Sequence, residues 1–559
     1  MLFPMLPLAV SFLWSGGYYE YSSVIIGVLA AVAICVGSRV KKQEVFCENY
    51  LLFAACLTFF YFLSCIYAVD RGMAFLGVGK KSAILLFALV LSMLTIEQRR
   101  TILRRLPEMA VLTVVVGAIG AVFPFTRSHV IAAGRFCGTF GYANAYALFL
   151  LLALLVLLET YTERHGFGKF VIGGILLIAL WFTGSRYTWV LTGCVLVLSI
   201  VRQKKLRKIA LCALSVVGVA TLSAATIFRQ SEAVGRLFTT NLSTFYGRLL
   251  YWQDAWSLMK KHFFGTGYLG YYYEQNQVQT GVYTVRYVHN DFLQWILDIG
   301  WLPALLLCLF FVFALLNKKR PFGQKILLLT LVLHSFMEFN LEHTALAFLL
   351  VLILSCTGEK LIPERKKRGQ NGNTIRCLPE GARRTTAFVL GGVCLYLSVP
   401  LSLYALGNME KAVAWYPAYT DARLALLSVE EDPVKAEQLA DTILEQNDSA
   451  FLAYDAKAQV AFQNGQWEDM MRYKKCAIAR NKYNADEYMD YLIMLNEVLL
   501  YSQEQSDVEL QEKTIAEMEQ LVSMVAENEA TVSFLGKKID DRVQIALPED
   551  IVEQINNLR

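Results

Sequence analysis

The stretch "GYANAYALFLLLALLVLLE", residues 141–159, decides the fold of this 559-residue chain. Its first charge is Glu159, and as a helix the run is close to the ~30 Å thickness of a bilayer's hydrocarbon core. Inside lipid a backbone has no water to satisfy its N–H and C=O groups, so a run of this kind spans as a helix.

Similar runs recur near 2–14, 22–37, 50–67, 82–96, 108–124, 169–183, 187–201, 209–228, 291–316, 326–341, 343–357 and 385–406. The expectation is an all-α polytopic membrane protein with about 13 transmembrane helices over residues 1–406. Composition agrees: 56% hydrophobic, 13% aromatic and only 18% charged residues exclude a soluble protein of this size. The first run lacks a basic flank and a small-residue cleavage site, so it reads as a retained helix.

Basic residues set the orientation, because Lys and Arg in short loops favour the cytoplasmic side. "SRVKKQEVFCEN", "EQRRTILRRLPE", "RQKKLRK", "NKKRPFGQK" and the basic loop within 358–384 occur at alternate connections. They predict a cytoplasmic N-terminus. The loops around Asp70, Arg135 and Arg186, the large loop 229–290 and the segment 407–559 then face outward. The net charge of +5 is absorbed by this pattern and implies no nucleic-acid surface. The 12 cysteines fall mostly within apolar runs, without CxxC or zinc spacing, so no metal, cofactor or disulfide framework is expected.

From Asn408 the chain turns polar, with apolar residues at helical spacing. Tyr454 aligns with Tyr488 at the ~34-residue period of tetratricopeptide (TPR) repeats. Ala458, Ala461 and Ala477 take the close-approach positions, and "NGQW" at 464–467 makes a turn. The expectation for 407–559 is an extracytoplasmic TPR-like helical domain, a possible seat for a protein partner; an unrelated helical bundle is the competing reading.

The outward loops hold the unusual residues. "GRFCGTFGYAN" carries Arg135 and Asn144, "FTGSRYTWV" carries Arg186, and "FYGRLLYWQDAW" carries Arg248. A lone arginine at a span end ordinarily reaches to headgroups. Three on the face that the charge bias leaves poor in arginine suggest a receptor for a diphosphate, which the guanidinium fork grips through two oxygens.

The order "GRFCGTFGYAN", "TGSR", "GRLLYWQDAW", "GTGYLGYY" and "YVHNDFLQWILDIG", with spans between, resembles the O-antigen ligase and polymerase family of bacterial membrane glycosyltransferases over roughly 120–350. The resemblance implies metal-independent transfer of a glycan from an undecaprenyl diphosphate carrier to an acceptor hydroxyl, on the outer face of a bacterial cytoplasmic membrane. It assigns Arg186 and Arg248, with Arg135 as a third, to the lipid diphosphate, and His289 to catalysis near the acceptor. An imidazole suits that task by its ordinary pKa.

Asn290 and Asp291 read as caps of the next helix, and Asp298 as a partner to another helix. In "LHSFMEFNLEH", His334 and Glu338 are expected on one helical face at i, i+4, lining the site, as is Asn144. Acceptor choice leaves three relatives open: ligase, polymerase and protein O-oligosaccharyltransferase. Two other classes compete. A transporter or flippase of lipid-linked glycan would show paired broken helices and a repeat of the membrane half, and none is visible. A scaffold leaves the arginines unused.

Overall fold

The computed structural model describes residues 2–37, 48–161, 167–202, 242–357, 380–539 and 545–558. The basic loops at 38–47, 203–208 and 358–379, the expected span 209–228 and the first part of the loop 229–290 lie outside them. Among the described residues the chain is almost entirely helical. The one strand pair among the described residues is a two-residue ladder, Ile131–Ala132 against Arg135–Phe136.

The helices of the first part are α1 (Leu2–Leu13), α2 (Glu20–Val36), α3 (Asn49–Ser64), α4 (Arg71–Ser92), α5 (Ile96–Arg104), α6 (Leu106–Val122), α7 (Pro124–Val130), α8 (Ala143–Tyr161), α9 (Phe167–Phe182) and α10 (Arg186–Arg202). There follow α11 (Ser243–Lys261), α12 (Gly270–Val278), α13 (Asp291–Ile299), α14 (Trp301–Leu316), α15 (Phe322–Ser335), α16 (Thr344–Ser355) and α17 (Glu380–Ala405).

Among the described residues, four segments are long and apolar enough to cross a membrane: Arg71–Ser92, Ile96–Val122, Ala143–Thr160 and Glu380–Ala405. Shorter apolar helices, α2, α3, α9, α14, α15 and α16, occupy six more of the expected positions. Helix α4 is the central post, packed on α2, α3, α16 and α17. Asp70 caps it by accepting from the Met73 amide (2.9 Å). It begins well before the expected residue 82 and takes in Lys80 and Lys81.

Two expected spans are broken. The run 291–316 splits at Gly300, whose φ of 88° is a left-handed value that glycine adopts without strain. A Cβ there would lie 2.5 Å from the Phe264 carbonyl oxygen, so the glycine lets the Gly265–Gly267 turn pass across the helix break. The run 326–341 ends as a helix at Ser335, and residues 336–343 form a turn. His334 and Glu338 therefore do not share a helical face.

Beyond Gly407 come α18 (Met409–Trp415), α19 (Thr420–Leu427), α20 (Pro433–Gln446), α21 (Phe451–Gln463), α22 (Trp467–Arg480), α23 (Ala485–Gln505), α24 (Val508–Ala530) and α25 (Glu549–Asn556). α20 packs on α21, α21 on α22 and α23 on α24, with Ala458, Ala461, Ala477 and Tyr488 buried between them. This array is fixed to the first part of the chain. Asp70 accepts from Thr420, from Gln446 Nε2 (2.9 Å) and from Asn447 Nδ2 (3.2 Å), and Arg286 lies 3.0 Å from Glu20 and 3.8 Å from Asp421. The Asp70 loop and the segment after residue 407, which the charge pattern places on one side, are thus in contact.

Candidate functional site

The turn 336–343, between α15 and α16, carries the carboxylate on which the site converges. Glu338 is 2% exposed and accepts hydrogen bonds from four directions. Arg248 donates from α11 through Nη2. Tyr142 donates its hydroxyl at 2.8 Å and Asn144 its amide at 2.5 Å, both from the glycine-rich start of α8. His289 places Nδ1 at 3.3 Å.

Each donor is held by the segment that carries it. Trp252, one turn along α11 from Arg248, donates from Nε1 to the Val288 carbonyl (3.1 Å), while the Val288 amide donates to Gln294 (3.0 Å). On the other side of His289, Asn290 caps α13 by accepting from the Phe292 and Leu293 amides. His289 itself sits at φ 54°, an uncommon backbone state for a residue with a side chain, and such states cluster at functional sites. Its ring meets Phe339 edge-on at 4.8 Å and Tyr251 at 5.8 Å.

Asp291 is the first residue of α13 and not its cap. Its carboxylate accepts from the Leu341 amide at 3.0 and 3.2 Å, so the histidine segment and the Glu338 turn are pinned to each other. Asp298 is paired too, accepting from Tyr61 on α3 (2.7 Å) and from Gln294 (2.8 Å).

Arg135 reaches the cluster through Asn144, donating to its side-chain oxygen at 2.5 Å and to the Thr183 carbonyl at 2.7 Å. That carbonyl belongs to the turn into α10, of which Arg186 is the first residue. The same helix end is braced by His334: Thr188 lies 2.9 Å from its Nε2, and Asn340 3.0 Å from its Nδ1. His334 is fully buried, so it supports the turn rather than lining a cleft. The structure thus brings Arg248, Asn144, Glu338 and His289 into direct contact, with Arg135 one step away.

Chemically, the arrangement couples a cation, a carboxylate and an imidazole. With Nδ1–H donating to Glu338, the neutral His289 ring presents Nε2 as its acceptor, a tautomer set by the carboxylate. The Nε–H of Arg248 is buried without a hydrogen-bond partner among the described residues, which suits a donor awaiting an anionic oxygen. Sequence reasoning missed Tyr142 and Tyr251. Tyr142 lies two residues before Asn144 in the same glycine-rich turn, and that adjacency is its one signal in the sequence.

Residues 171–308 match the family model described as O-Antigen ligase. That segment holds Arg186, Arg248 and His289; Arg135, Asn144 and Glu338 lie outside it. The match supports a membrane glycosyltransferase-like enzyme of surface polysaccharide assembly. No curated protein and no solved structure matches the chain.

Proposed function

We propose that this protein transfers a glycan from an undecaprenyl diphosphate carrier to an acceptor hydroxyl at the outer face of a bacterial cytoplasmic membrane. The observation that carries the reading is the convergence of Arg248 and His289 on the buried Glu338, with the Arg248 Nε–H, unpartnered among the described residues, beside them.

In the proposed step the acceptor oxygen bonds to the anomeric carbon of the glycan while the bond from that carbon to the diphosphate oxygen breaks. The acceptor's proton passes to His289 Nε2, and undecaprenyl diphosphate leaves carrying the electron pair. Arg186, Arg248 and Arg135 stabilise the charge that builds on the leaving diphosphate; fixed guanidinium groups in a water-poor site do this without reorganising. Glu338 orients the imidazole and offsets the positive charge it gains, while Asn144 and Tyr142 hold the carboxylate. Polymerisation and protein glycosylation are acceptor variants of the same proposed reaction. The helices from residue 409 onward, as a TPR-like extracytoplasmic domain, would receive a partner protein on the same side.

A detergent assay separates this from a flippase. Purified protein given a lipid diphosphate-linked glycan and a hydroxyl acceptor should form product with a chelator present, because no sealed compartment is required. Movement of the lipid-linked glycan across vesicles without product in detergent, for every acceptor tried, would overturn the proposal.

A further inference from the structure

Between the loop after α12 and the ends of α20 and α22 lies a cavity of about 380 Å³, within the range of small-ligand sites. Tyr272, Tyr283 and Tyr483 give it aromatic walls, and Asn276, Asn481 and Asn484 give it amides. None of the described residues lining it is charged.

The walls are built, not incidental. Asp254, 1% exposed, accepts from the Thr280 amide (3.0 Å), the Thr280 hydroxyl (2.7 Å) and the Tyr283 hydroxyl (3.0 Å), and Gln279 donates to the Tyr283 carbonyl. From the far side, the Ser533 amide donates to the Thr280 carbonyl at 2.7 Å. One wall of the cavity reaches the His289 cluster through ring contacts. The Tyr283 ring lies 4.6 Å from Tyr251, whose ring lies 5.8 Å from His289.

This lining selects its occupant by chemistry. A phosphate would find no cation among the described lining residues, Arg286 and Lys482 being set over the Tyr272 and Tyr483 rings instead, and a purely apolar ligand would leave the amides of Asn276, Asn481 and Asn484 unused. Flat aromatic faces beside amide donors and acceptors fit a ring with apolar faces and hydroxyl edges. We infer that this cavity is a subsite for an uncharged saccharide unit of the glycan, remote from the reacting carbon. Naming the ligand as the transferred glycan rests on the proposed function; the saccharide chemistry rests on the cavity alone. Contacts this far from the reaction can be spent on orientation at the reacting centre.

The test uses the full chain in detergent and, as probe, the oligosaccharide released by mild acid from the lipid-linked glycans of the producing cells. Leu452, 43% exposed at the rim, allows Leu452→Trp to fill the mouth, and Asn276→Ala removes an amide. Neither residue belongs to the catalytic cluster. Wild-type protein should bind the probe by saturation-transfer NMR, and each variant should weaken binding about tenfold, the size of one lost hydrogen bond or blocked contact. Transfer from a lipid diphosphate bearing a single sugar should keep its kcat/KM in both variants, while KM for the full glycan rises about tenfold. Absent binding by wild-type protein, or equal binding by wild type and both variants, would overturn the subsite. Selective binding without any transfer would uphold the saccharide cavity and remove the transferase reading.

Discussion

Two buried carboxylates, Glu338 and Glu342, sit four residues apart on one turn and each faces two basic side chains. Glu342 meets Lys81 at 2.6 Å and Lys80 at 3.2 Å, and all three side chains are at most 2% exposed. Lys80 is further enclosed by the Tyr18 carbonyl and the Tyr268 and Tyr287 hydroxyls. Around Glu338 the basic partners stay partly open: Arg248 at 12% and His289 at 20% exposure. A sealed ion cluster has nothing left to offer a ligand, whereas an open one presents charge to whatever enters. Glu342 therefore reads as the anchor of the turn, and Glu338 as its working group.

The largest expected effect breaks the anchor. Glu342→Ala strands two buried ammonium groups, and removing one partner of a buried pair costs about 3–5 kcal/mol. Folded protein in the membrane should fall sharply, read by abundance and thermal unfolding. Glu338→Gln should leave abundance near wild type while transfer falls about 10²–10³-fold. Equal loss of folded protein in both variants would erase the distinction.

Arg248→Lys sharpens the comparison next. If Arg248 served only to neutralise Glu338, lysine would suffice. If it grips a diphosphate, a point charge cannot reproduce the fork, and transfer should fall nearly as far as in Arg248→Ala, about 10²-fold or more. Arg186→Lys and Arg186→Ala should behave alike for the same reason. Full activity in either alanine variant at normal abundance would remove that arginine from the donor site.

Much of the candidate site is legible in the sequence because it is built from rare residue types in short motifs: arginines and a histidine stand out in an apolar chain. What is not legible depends on distant contacts. Nothing in "LHSFMEFN" marks a helix end, since it contains neither glycine nor proline and Leu333, Phe336 and Met337 keep the i, i+3, i+4 spacing of a helix. A span read from hydropathy thus runs on to residue 341 and puts His334 and Glu338 on one face. The same holds for Lys80 and Lys81, which fall outside the expected span 82–96 because two adjacent lysines argue against lipid. Their burial is explained by Glu342, 261 residues from Lys81 along the chain. The break at Gly300 has a local signal, a glycine within an apolar run, but its cause is the Gly265–Gly267 turn pressed against it.

A smaller effect tests a carboxyl outside both clusters. Burial pushes the Glu274 carboxyl up to about 7, above its ordinary value near 4.5, and His262 Nε2 lies 3.2 Å away. A carboxyl whose pKa rises on folding favours the folded state when protonated, so that contribution is present at low pH and is lost as pH rises toward 7. Glu274→Gln should therefore raise the unfolding temperature at about pH 8 and change it little near pH 4.5. An unchanged difference across that range would show that Glu274 is not strained by its charge.

In the proposed reaction His289, held by Glu338, takes the acceptor's proton. The direct measurement is product formation by purified His289→Ala protein in detergent, from lipid diphosphate-linked glycan and acceptor, alongside binding of the lipid-linked donor. Transfer should fall by about 10²–10⁴-fold, the usual share of a general base, while donor binding and abundance stay near wild type. Transfer at the wild-type rate by the folded His289→Ala protein would contradict it.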